Sequence, residues 1–308
     1  MNRNIKRLLL YLSVSCLSAF LLDGVSAQKT KPVIYLEHPA LKPGETITSH
    51  TGFALCYQEI YEQPSWVAYE LTAKKTISVT SRTNKFIPDP TITTGSATQA
   101  DYAGSGYDRG HLAPAADMGW SMQTMKESFY FSNMSPQLPT FNRGIWKKTE
   151  EQVRSWAREY GTLYIATGPV LEKGLSVIGP NKVAIPNYYY KALLRCLPSD
   201  TNAVAILMPH AASSIPLTDF FVSVDRLEQI TGIDFFHNLP DEVERRIEKR
   251  NAPNEWPLVK NNGGSSPPVK EKIQSKNKES VQCRGITKSG LRCKRKTTNA
   301  NGRCFSHQ

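Results

Sequence analysis

Three features are scarce in this chain of 308 residues: long apolar segments, internal repeats and net charge in its middle. Beyond residue 27 no run is apolar and long enough to span a bilayer, so no transmembrane helix is expected there. The formal charge is +11, but residues 1–27 (three Lys or Arg, one Asp) and residues 261–308 (eleven Lys or Arg, two Glu) hold it all. Residues 28–260 are near neutral, so any affinity for nucleic acid there must come from a local groove.

Cysteine is scarce as well, with six residues in the whole chain. Cys56 and Cys196 lie in apolar contexts, and the sequence leaves open whether they form a disulfide or stay as two buried thiols. Of the others, one lies near the N-terminus and three lie near the C-terminus: Cys16, Cys283, Cys293 and Cys304.

The first 27 residues have the pattern of a signal peptide. Basic residues precede an apolar run over 8–22, and the small residues Val25 and Ala27 favour cleavage before Gln28. We therefore expect a secreted or periplasmic protein that has no contact with the membrane after cleavage. The alternative is an uncleaved membrane anchor.

Short apolar or β-branched runs predict strands, and periodic runs predict helices. Strands are expected over 52–56, 66–71, 163–166, 188–194 and 203–208, with a possible further strand over 78–84. Apolar residues at three- and four-residue steps predict a helix over 143–160 that ends at Gly161, and further helices are expected over 223–231 and 241–250. This order favours an α+β fold with a mixed sheet as its core.

The chain divides by composition into four segments. The predicted signal peptide covers 1–27, and a single catalytic domain is expected over 28–260. Residues 261–280 are rich in Gly, Ser, Pro and Lys, which is typical of a flexible linker. Residues 281–308 form a basic segment with cysteine and histidine.

The candidate catalytic residue is His111, which follows Asp108, Arg109 and Gly110. A neutral imidazole can take a proton from water near pH 7, which is the first requirement for hydrolysing a phosphodiester. The glycine permits a close approach of the backbone, and the two charged residues can orient neighbours. A single histidine in such a place can equally be structural.

A second polar cluster follows about thirty residues later. The amide oxygen of Asn142 could be the single protein ligand of Mg²⁺, a cation that keeps several of its waters. The alternative is that Asn142 is the N-cap of the predicted helix. Glu150 and Arg154 stand four residues apart, so Glu150 could hold water while Arg154 pairs with it or reaches a phosphate. An exposed ion pair is the alternative for these two.

Together these motifs resemble the DNA/RNA non-specific endonuclease family, which has a ββα-metal (His-Me finger) site. The resemblance covers roughly residues 52–236 and rests on several motifs in the same order: WVAYEL (66–71), DRGHLAP (108–114), SNMSPQ (132–137), NRGIW (142–146) with Glu150, and TGP (167–169). One departure is Thr149, where the family often has leucine, and it affects the expected packing of the helix.

The resemblance implies a role for each matching residue. His111 would be the general base, and Asn142 the direct ligand of Mg²⁺, with Mn²⁺ as an alternative cation. Glu150 would fix a water of the metal, and Arg154 and Arg82 would contact phosphate. Asp108 and Arg109 would shape the hairpin that presents the histidine. The substrates would be DNA and RNA, bound through phosphates, with weak sequence preference.

The C-terminal segment predicts a small metal-binding module. A Cys₃His zinc site could be formed by Cys283, Cys293, Cys304 and His307, because so small a segment needs a bound metal or a covalent cross-link to fold. Disulfides and disorder are the alternatives. Its basic residues could hold DNA or another anionic polymer near the catalytic domain.

Two other functions remain open from the sequence. The protein could bind nucleic acid without cleaving it, with the basic tail providing the affinity. It could also keep the site and act on small phosphodiesters.

Overall fold

The computed structural model describes residues 34–197, 200–251, 253–258, 281–286, 292–294 and 296–297. Several predictions fall outside these ranges: the signal peptide over 1–27, the linker over 261–280, and the tail residues Cys304 and His307. Among the residues described, no helix is both apolar and long enough to cross a membrane.

A seven-stranded sheet forms the centre of the fold, with the order β1-β2-β3-β6-β9-β10-β11. Three two-stranded sheets accompany it, made by β4 with β5, β7 with β8, and β12 with β13. The strands are β1 (Thr48–Ser49), β2 (Ala54–Gln58), β3 (Gln63–Thr72), β4 (Asp108–His111), β5 (Met134–Gln137), β6 (Thr162–Pro169), β7 (Val177–Ile178), β8 (Val183–Ala184), β9 (Tyr188–Leu197), β10 (Asp200–Pro209), β11 (Phe221–Val222), β12 (Val281–Gln282) and β13 (Lys296–Thr297).

The α+β class is confirmed, but the large sheet is antiparallel throughout and not mixed. The reason is local connection. A 3₁₀ turn over Glu59–Tyr61 joins β2 to β3, and a left-handed residue, Glu62 (φ 53°), closes it. β9 and β10 pair along their whole length, with Leu197 opposite Asp200. Short reversals of this kind place consecutive strands side by side in opposite directions.

Within the described residues six α-helices accompany the strands: α1 (Gln99–Tyr102), α2 (Met122–Glu127), α3 (Pro139–Phe141), α4 (Lys147–Tyr160), α5 (Val224–Thr231) and α6 (Asp241–Glu248). The predicted helix over 223–231 is confirmed. The hydroxyl of Ser223 accepts a hydrogen bond from the backbone of Arg226 at its start, and Gly232 (φ 63°) ends it.

Alternation along the strands gives the sheet two apolar faces. On the first face Val67, Ile165 and Leu193 pack with Val153 and Trp156 of α4. On the second face small residues of the same strands, including Ala68, Ala166 and Ala192, pack with α5 and α6. Because neighbouring residues of a strand point to opposite sides, α4 lies on one side of the sheet and α5 and α6 lie on the other.

The strand predicted over 78–84 is wrong. The backbone amides of Val79 and Thr80 donate to the carbonyl of Gly119, at 2.8 and 3.3 Å, and not to a strand. Arg82 donates from Nε to Oδ1 of Asn84 at 2.7 Å. These bonds hold the segment in an irregular conformation.

The possible disulfide between Cys56 and Cys196 is absent. Cys56 is buried on β2 and Cys196 is exposed on β9, with β3 and β6 between them in the sheet. Three strand spacings of about 4.8 Å put the two positions roughly 14 Å apart, well beyond disulfide reach.

Candidate active site

Six of the seven residues predicted for the catalytic site line one cleft of about 490 Å³. The seventh, Asp108, lies beside it and contacts one of the six. The lining residues are Arg82, Arg109, His111, Pro114, Ala115, Ala116, Asn142, Arg143, Lys147, Glu150 and Arg154. The irregular segment before β4, the β4–β5 hairpin and the helix after it thus meet at one place.

The β4–β5 hairpin presents His111. In its register Gly110 lies opposite Ser135, and His111 lies opposite Met134. The imidazole packs edge-to-face against Phe129, with ring centroids 4.8 Å apart. The indole of Trp146 donates to the backbone carbonyl of His111 at 3.4 Å, so the helix holds the strand that carries the histidine.

His111 is only 8% exposed, and its Nε2 atom has no hydrogen-bond partner within the described residues. Burial, together with the positive charges of Arg82 and Arg109, lowers its pKa to about 3. The ring is therefore neutral across the physiological range and has a nitrogen available to accept a proton.

The SNMSPQ motif explains how the loop after His111 is fixed. Asn133 is fully buried, and its amide makes three hydrogen bonds of 2.9 Å: it accepts from the backbone of Ala113 and donates to the carbonyls of Ala113 and Ser128. A buried amide with all these bonds satisfied holds two distant segments in a single arrangement. Asn133 thus has a structural role beside the strand that carries His111.

The helix that carries Asn142 begins earlier than the sequence predicts. α3 starts at Pro139, a favoured first helical residue, so Asn142 lies inside the helix and is not its N-cap. A π-helical turn over Asn142–Trp146 separates α3 from α4, and Gly144 departs from helical dihedrals within it. Single π turns inside helices are often found at functional sites.

Asp108 fixes the orientation of the Asn142 side chain. Nδ2 of Asn142 donates to Oδ2 of Asp108 at 2.9 Å, and the guanidinium of Arg143 binds the same carboxylate with bonds of 2.9 and 2.6 Å. Although partial burial opposes ionisation, these donors keep the pKa of Asp108 below its usual range. With its nitrogen committed to an ionised partner, Asn142 directs its oxygen Oδ1 away from Asp108, and the residue lines the cleft.

Arg154 forms its ion pair with Asp117 and not with Glu150, the partner that the helical spacing suggested. The distance from Nη1 to Oδ1 is 2.8 Å, with side chains 14% and 0% exposed. The other oxygen of Asp117 accepts from the hydroxyl of Tyr69 at 2.8 Å. Burial opposes its charge, but Asp117 and Glu150 raise the pKa of Arg154 above its ordinary value. Arg154 is therefore a fixed cation in the wall of the cleft.

Glu150 has an unexpected neighbour in Lys191. This lysine is buried on β9, on the same sheet face as Leu193. Its Nζ donates to Oγ1 of Thr167 at 3.1 Å and lies 4.2 Å from the centroid of the Trp146 ring. Burial raises the pKa of Glu150, and the charge of Lys191 opposes that rise. Lys191 and Arg195 are the two cations within the otherwise apolar run 188–197, and a lysine in such a run was the signal that could have identified it.

The guanidinium groups of Arg82 and Arg109 make cation–π contacts with aromatic rings at the rim of the cleft. The guanidinium of Arg82 lies 4.9 Å from the centroid of Phe129, and that of Arg109 lies 4.0 Å from the centroid of Phe86. Arg109 also donates to the side chain of Gln99. With three more cations in the lining, Arg143, Lys147 and Arg154, the cleft supplies the local positive groove that the near-neutral body otherwise lacks.

Thr149, the departure noted in the sequence, is accommodated within the helix. It is fully buried, and its hydroxyl donates to the carbonyl of Ile145 at 2.9 Å. That bond runs to the carbonyl four residues back, a contact that favours a bend in a helix, and it lies at the irregular turn in front of Glu150.

Comparisons with known proteins point to one family. The model of the DNA/RNA non-specific endonuclease family matches residues 35–242. "Endonuclease G, mitochondrial" from Bos taurus is 34% identical over 208 residues, which cover 63% of this chain and 70% of the relative. "Nuclease EXOG, mitochondrial" from Xenopus laevis is 32% identical over 250 residues, which cover 74% and 70%. A chain of the "EndoG/EndoGI complex" crystal structure superposes with a TM-score of 0.60 at 31% identity, over 64% of this chain and 87% of that one.

These relatives correct the prediction of a secreted or periplasmic location. Both curated relatives are named as mitochondrial nucleases, which contradicts the location inferred from the first 27 residues. A basic N-terminal segment with few acidic residues is shared by leaders for more than one compartment, so its composition does not distinguish them.

The close packing of Gly110 against β5 leads to a testable prediction about the stability of the hairpin. A Cβ at this position would lie 2.2 Å from Cδ and Oε1 of Gln137, which is fully buried on β5. We expect Gly110→Ala to lower the free energy of unfolding by about 1–3 kcal/mol, because the buried amide must move. Urea denaturation measures this loss.

A double-variant cycle is the control. Gln137→Ala removes the atoms that the new methyl group would meet, so the destabilisation by Gly110→Ala should shrink by about 0.5–3 kcal/mol in that background. Additive effects of the two substitutions would contradict the contact.

Proposed function

The chain belongs to the DNA/RNA non-specific endonuclease family and is a nuclease, and from this premise we propose that it is an Mg²⁺-dependent, sugar-non-specific endonuclease. It hydrolyses phosphodiester bonds of DNA and RNA, with His111 as the base that activates water. The observation that supports this most is the unpartnered Nε2 of a neutral His111 in the same cleft as Asn142.

The donor set fits a hard cation that keeps most of its waters. Asn142 would hold Mg²⁺ through Oδ1, because Asp108 engages its nitrogen. One amide oxygen suits Mg²⁺, which usually takes only one or two protein ligands, and Mn²⁺ could replace it. When bound, the cation would neutralise charge on the phosphate and on the leaving oxygen. Glu150, in the same lining, would accept hydrogen bonds from water beside Asn142.

His111 takes a proton at Nε2 from the water that attacks phosphorus. In the free protein two guanidinium groups and burial keep its pKa low. A phosphodiester in the cleft brings negative charge next to Arg82 and Arg109, which offsets their effect on the imidazole. The histidine therefore becomes a stronger base once substrate is bound, and the proton transfer is favoured at that moment.

Arg82 and Arg154 bind the phosphate, and Asp108 and Arg109 position the groups around it. Arg154 is held by Asp117, which leaves a pre-oriented cation in the wall. Arg82 rests on Phe129, so its charge stays at the rim. Contacts of this kind read the phosphate and not the base edges, so weak sequence preference and activity on both DNA and RNA follow.

β4, β5 and the helix that begins at Pro139 form the ββα-metal, or His-Me finger, motif in this proposal. Two observations support it. The strand pair carries His111 on one side, and the helix places Asn142 against Asp108 of the same hairpin. The π-helical turn at Asn142–Trp146 brings both Asn142 and Glu150 to the cleft.

We also propose structural zinc in the C-terminal segment, with Cys283, Cys293, Cys304 and His307 as ligands. Two observations on the described part support it. Cys283 and Cys293 are both buried, and Ile286 and Arg292 form a bridge between the segments that carry them. The backbone amide of Gly285 donates to the sulfur of Cys283 at 3.3 Å. The basic residues around them would hold DNA or another anionic polymer near the cleft.

Removal of the base should abolish turnover but not binding. His111→Ala is expected to lower the rate of plasmid nicking by about 10²–10⁴-fold, the usual contribution of a general base. Affinity for DNA, measured with EDTA present, should stay within about twofold because the guanidinium groups remain. His237→Ala, which removes an exposed imidazole, is the matched control.

Two results would overturn this assignment. Wild-type turnover in His111→Ala would remove His111 as the base, and EDTA-resistant nicking by the unmodified protein would remove the metal. Binding without any nicking would favour a protein that binds nucleic acid without cleaving it. Cleavage of a small chromogenic diester but not of plasmid would favour a phosphodiesterase that acts on small substrates.

Asn142→Ala should change the metal requirement. Loss of the single protein ligand is expected to raise the Mg²⁺ concentration for half-maximal nicking by at least about tenfold. Asp108→Asn, which replaces the acceptor for Nδ2 with an amide of the same shape, should raise it in the same direction but by less. An Mg²⁺ titration of activity that is unchanged in Asn142→Ala would rule out the ligand.

We expect the fall in activity at acidic pH, the acid limb of the pH profile, to follow the protonation of Glu150. Burial raises the pKa of Glu150, so the carboxylate is present above that raised pKa and is lost as the pH falls through it. Lys191→Met removes a charge that opposes the rise, so the limb should move to higher pH. kcat/KM measured from about pH 5 to pH 9 tests this.

Two further variants serve as controls for the pH profile. Lys126→Met removes an exposed lysine and should leave the limb in place. Glu150→Gln should have little acid limb at all. A limb that stays in place in Lys191→Met would mean that Lys191 only packs against Trp146.

A further inference from the structure

Three carboxylates converge between α5 and α6, on the sheet face opposite the cleft. Asp225 and Glu228 stand three residues apart on α5, and Glu248 is the last residue of α6. One oxygen from each of the three lies within 4.8 Å of the others. Residues three apart on a helix share a face, so both side chains of α5 are directed to the end of α6.

Glu248 is the buried member of the group. It is only 5% exposed, and its Oε1 has no hydrogen-bond partner within the part of the chain that the structure describes. Buried carboxylates in proteins are normally paired, hydrogen-bonded or bound to a metal. A buried carboxylate that has an unpartnered oxygen and lies beside two further carboxylates therefore indicates a missing positive partner.

No side chain provides that partner. Among the described residues the salt bridges involve none of the three carboxylates. Glu228 uses one oxygen, Oε1, to accept from the backbone of Phe235 at 2.8 Å, which orients the side chain and leaves the second oxygen. The acidic neighbours Asp234 and Glu244 add further negative charge.

We propose that Asp225, Glu228 and Glu248 form a binding site for Ca²⁺ that is separate from the catalytic cleft. Three carboxylates can supply three to six oxygens, and Ca²⁺ takes six to eight, with water completing the shell. Mg²⁺ fits less well, because it demands octahedral geometry and seldom takes three carboxylates. The half-buried Asp225 and Glu228 give the ion a path from solvent.

The electrostatics agree with this geometry. Burial raises the pKa of Glu248 to about 9, and the charges of Glu228, Glu244, Asp225 and Asp234 raise it in the same direction. Without a cation the raised pKa values of Glu228 and Glu248 favour their protonated forms, whereas a bound cation would replace those protons and join α5 to α6. The two possibilities differ in whether the stability of the protein depends on Ca²⁺.

The experiment uses the full chain with Asn142→Ala, which removes the proposed metal ligand of the cleft. Melting temperature and calorimetric binding are measured with CaCl₂ in place of any other divalent salt. We expect one equivalent of Ca²⁺ to bind and the Tm to rise by about 5–10 °C at a hundredfold excess over Kd. Glu248→Gln in this background should abolish both the binding and the Ca²⁺-dependent rise.

Matched variants make the result specific. Glu242→Gln makes the same change on an exposed face of α6 and should retain the full Ca²⁺ effect. Asp225→Asn, at a half-buried position, is the second variant if Glu248→Gln fails to fold, and it should weaken Ca²⁺ binding at least about tenfold. Plasmid nicking in Mg²⁺ by an otherwise unmodified chain with Glu248→Gln should stay at the wild-type rate.

Two outcomes overturn the proposal. If Ca²⁺ neither binds nor raises the Tm, or does so equally in Glu248→Gln, the three carboxyls do not form a Ca²⁺ site. An equal rise with Mg²⁺ at the same concentration would reject Ca²⁺ as the occupant.

Discussion

The hydrogen bond from Asn142 to Asp108 is the contact on which the geometry of the cleft depends. It joins a strand that carries His111 to a helix that carries Glu150 and Arg154, across 34 residues of chain. The same bond decides which atom of Asn142 remains available, because a bound nitrogen leaves the oxygen as the acceptor. Arg143 keeps Asp108 ionised, so the orientation of the amide does not depend on pH near neutrality.

A second layer of contacts holds that bond in place. Asn133 fixes the loop after His111, and Trp146 binds the carbonyl of His111 from the helix side. The π-helical turn begins at Asn142, next to the hairpin, and leads into α4, which carries Glu150 to the cleft. Catalytic geometry of this kind requires a supporting shell whose own conformations are fixed. Here that shell consists of a buried amide, a buried indole and an irregular turn.

Motif order in the sequence was enough to identify the family and six of the residues that line the cleft. The spacing of apolar residues and the local composition predicted β3, β6, β9, β10 and α5 to within a few residues, because each of these elements buries an apolar face with a regular repeat. The sequence did not predict which side chains, far apart in the chain, form pairs. Arg154 lies four residues from Glu150 but pairs with Asp117, 37 residues away.

The same limit applies to Lys191. Its place in a predicted strand did not show that it lies on the sheet face covered by α4. Asn142 was ambiguous for a related reason, since an N-cap and a ligand have the same residue type. Only the start of the helix at Pro139 separates them.

Net charge near zero conceals a division of charge across the sheet. The cations that line the cleft lie on one side, and Asp225, Glu228 and Glu248 with their acidic neighbours lie on the other. A polyanion approaching the protein is attracted to the first side, so its encounter is oriented before any contact forms. Counterions screen this field over about 8 Å at physiological salt, so the orientation acts at close range. A near-neutral domain can thus direct nucleic acid to one cleft without the general affinity for polyanions that a basic domain would have.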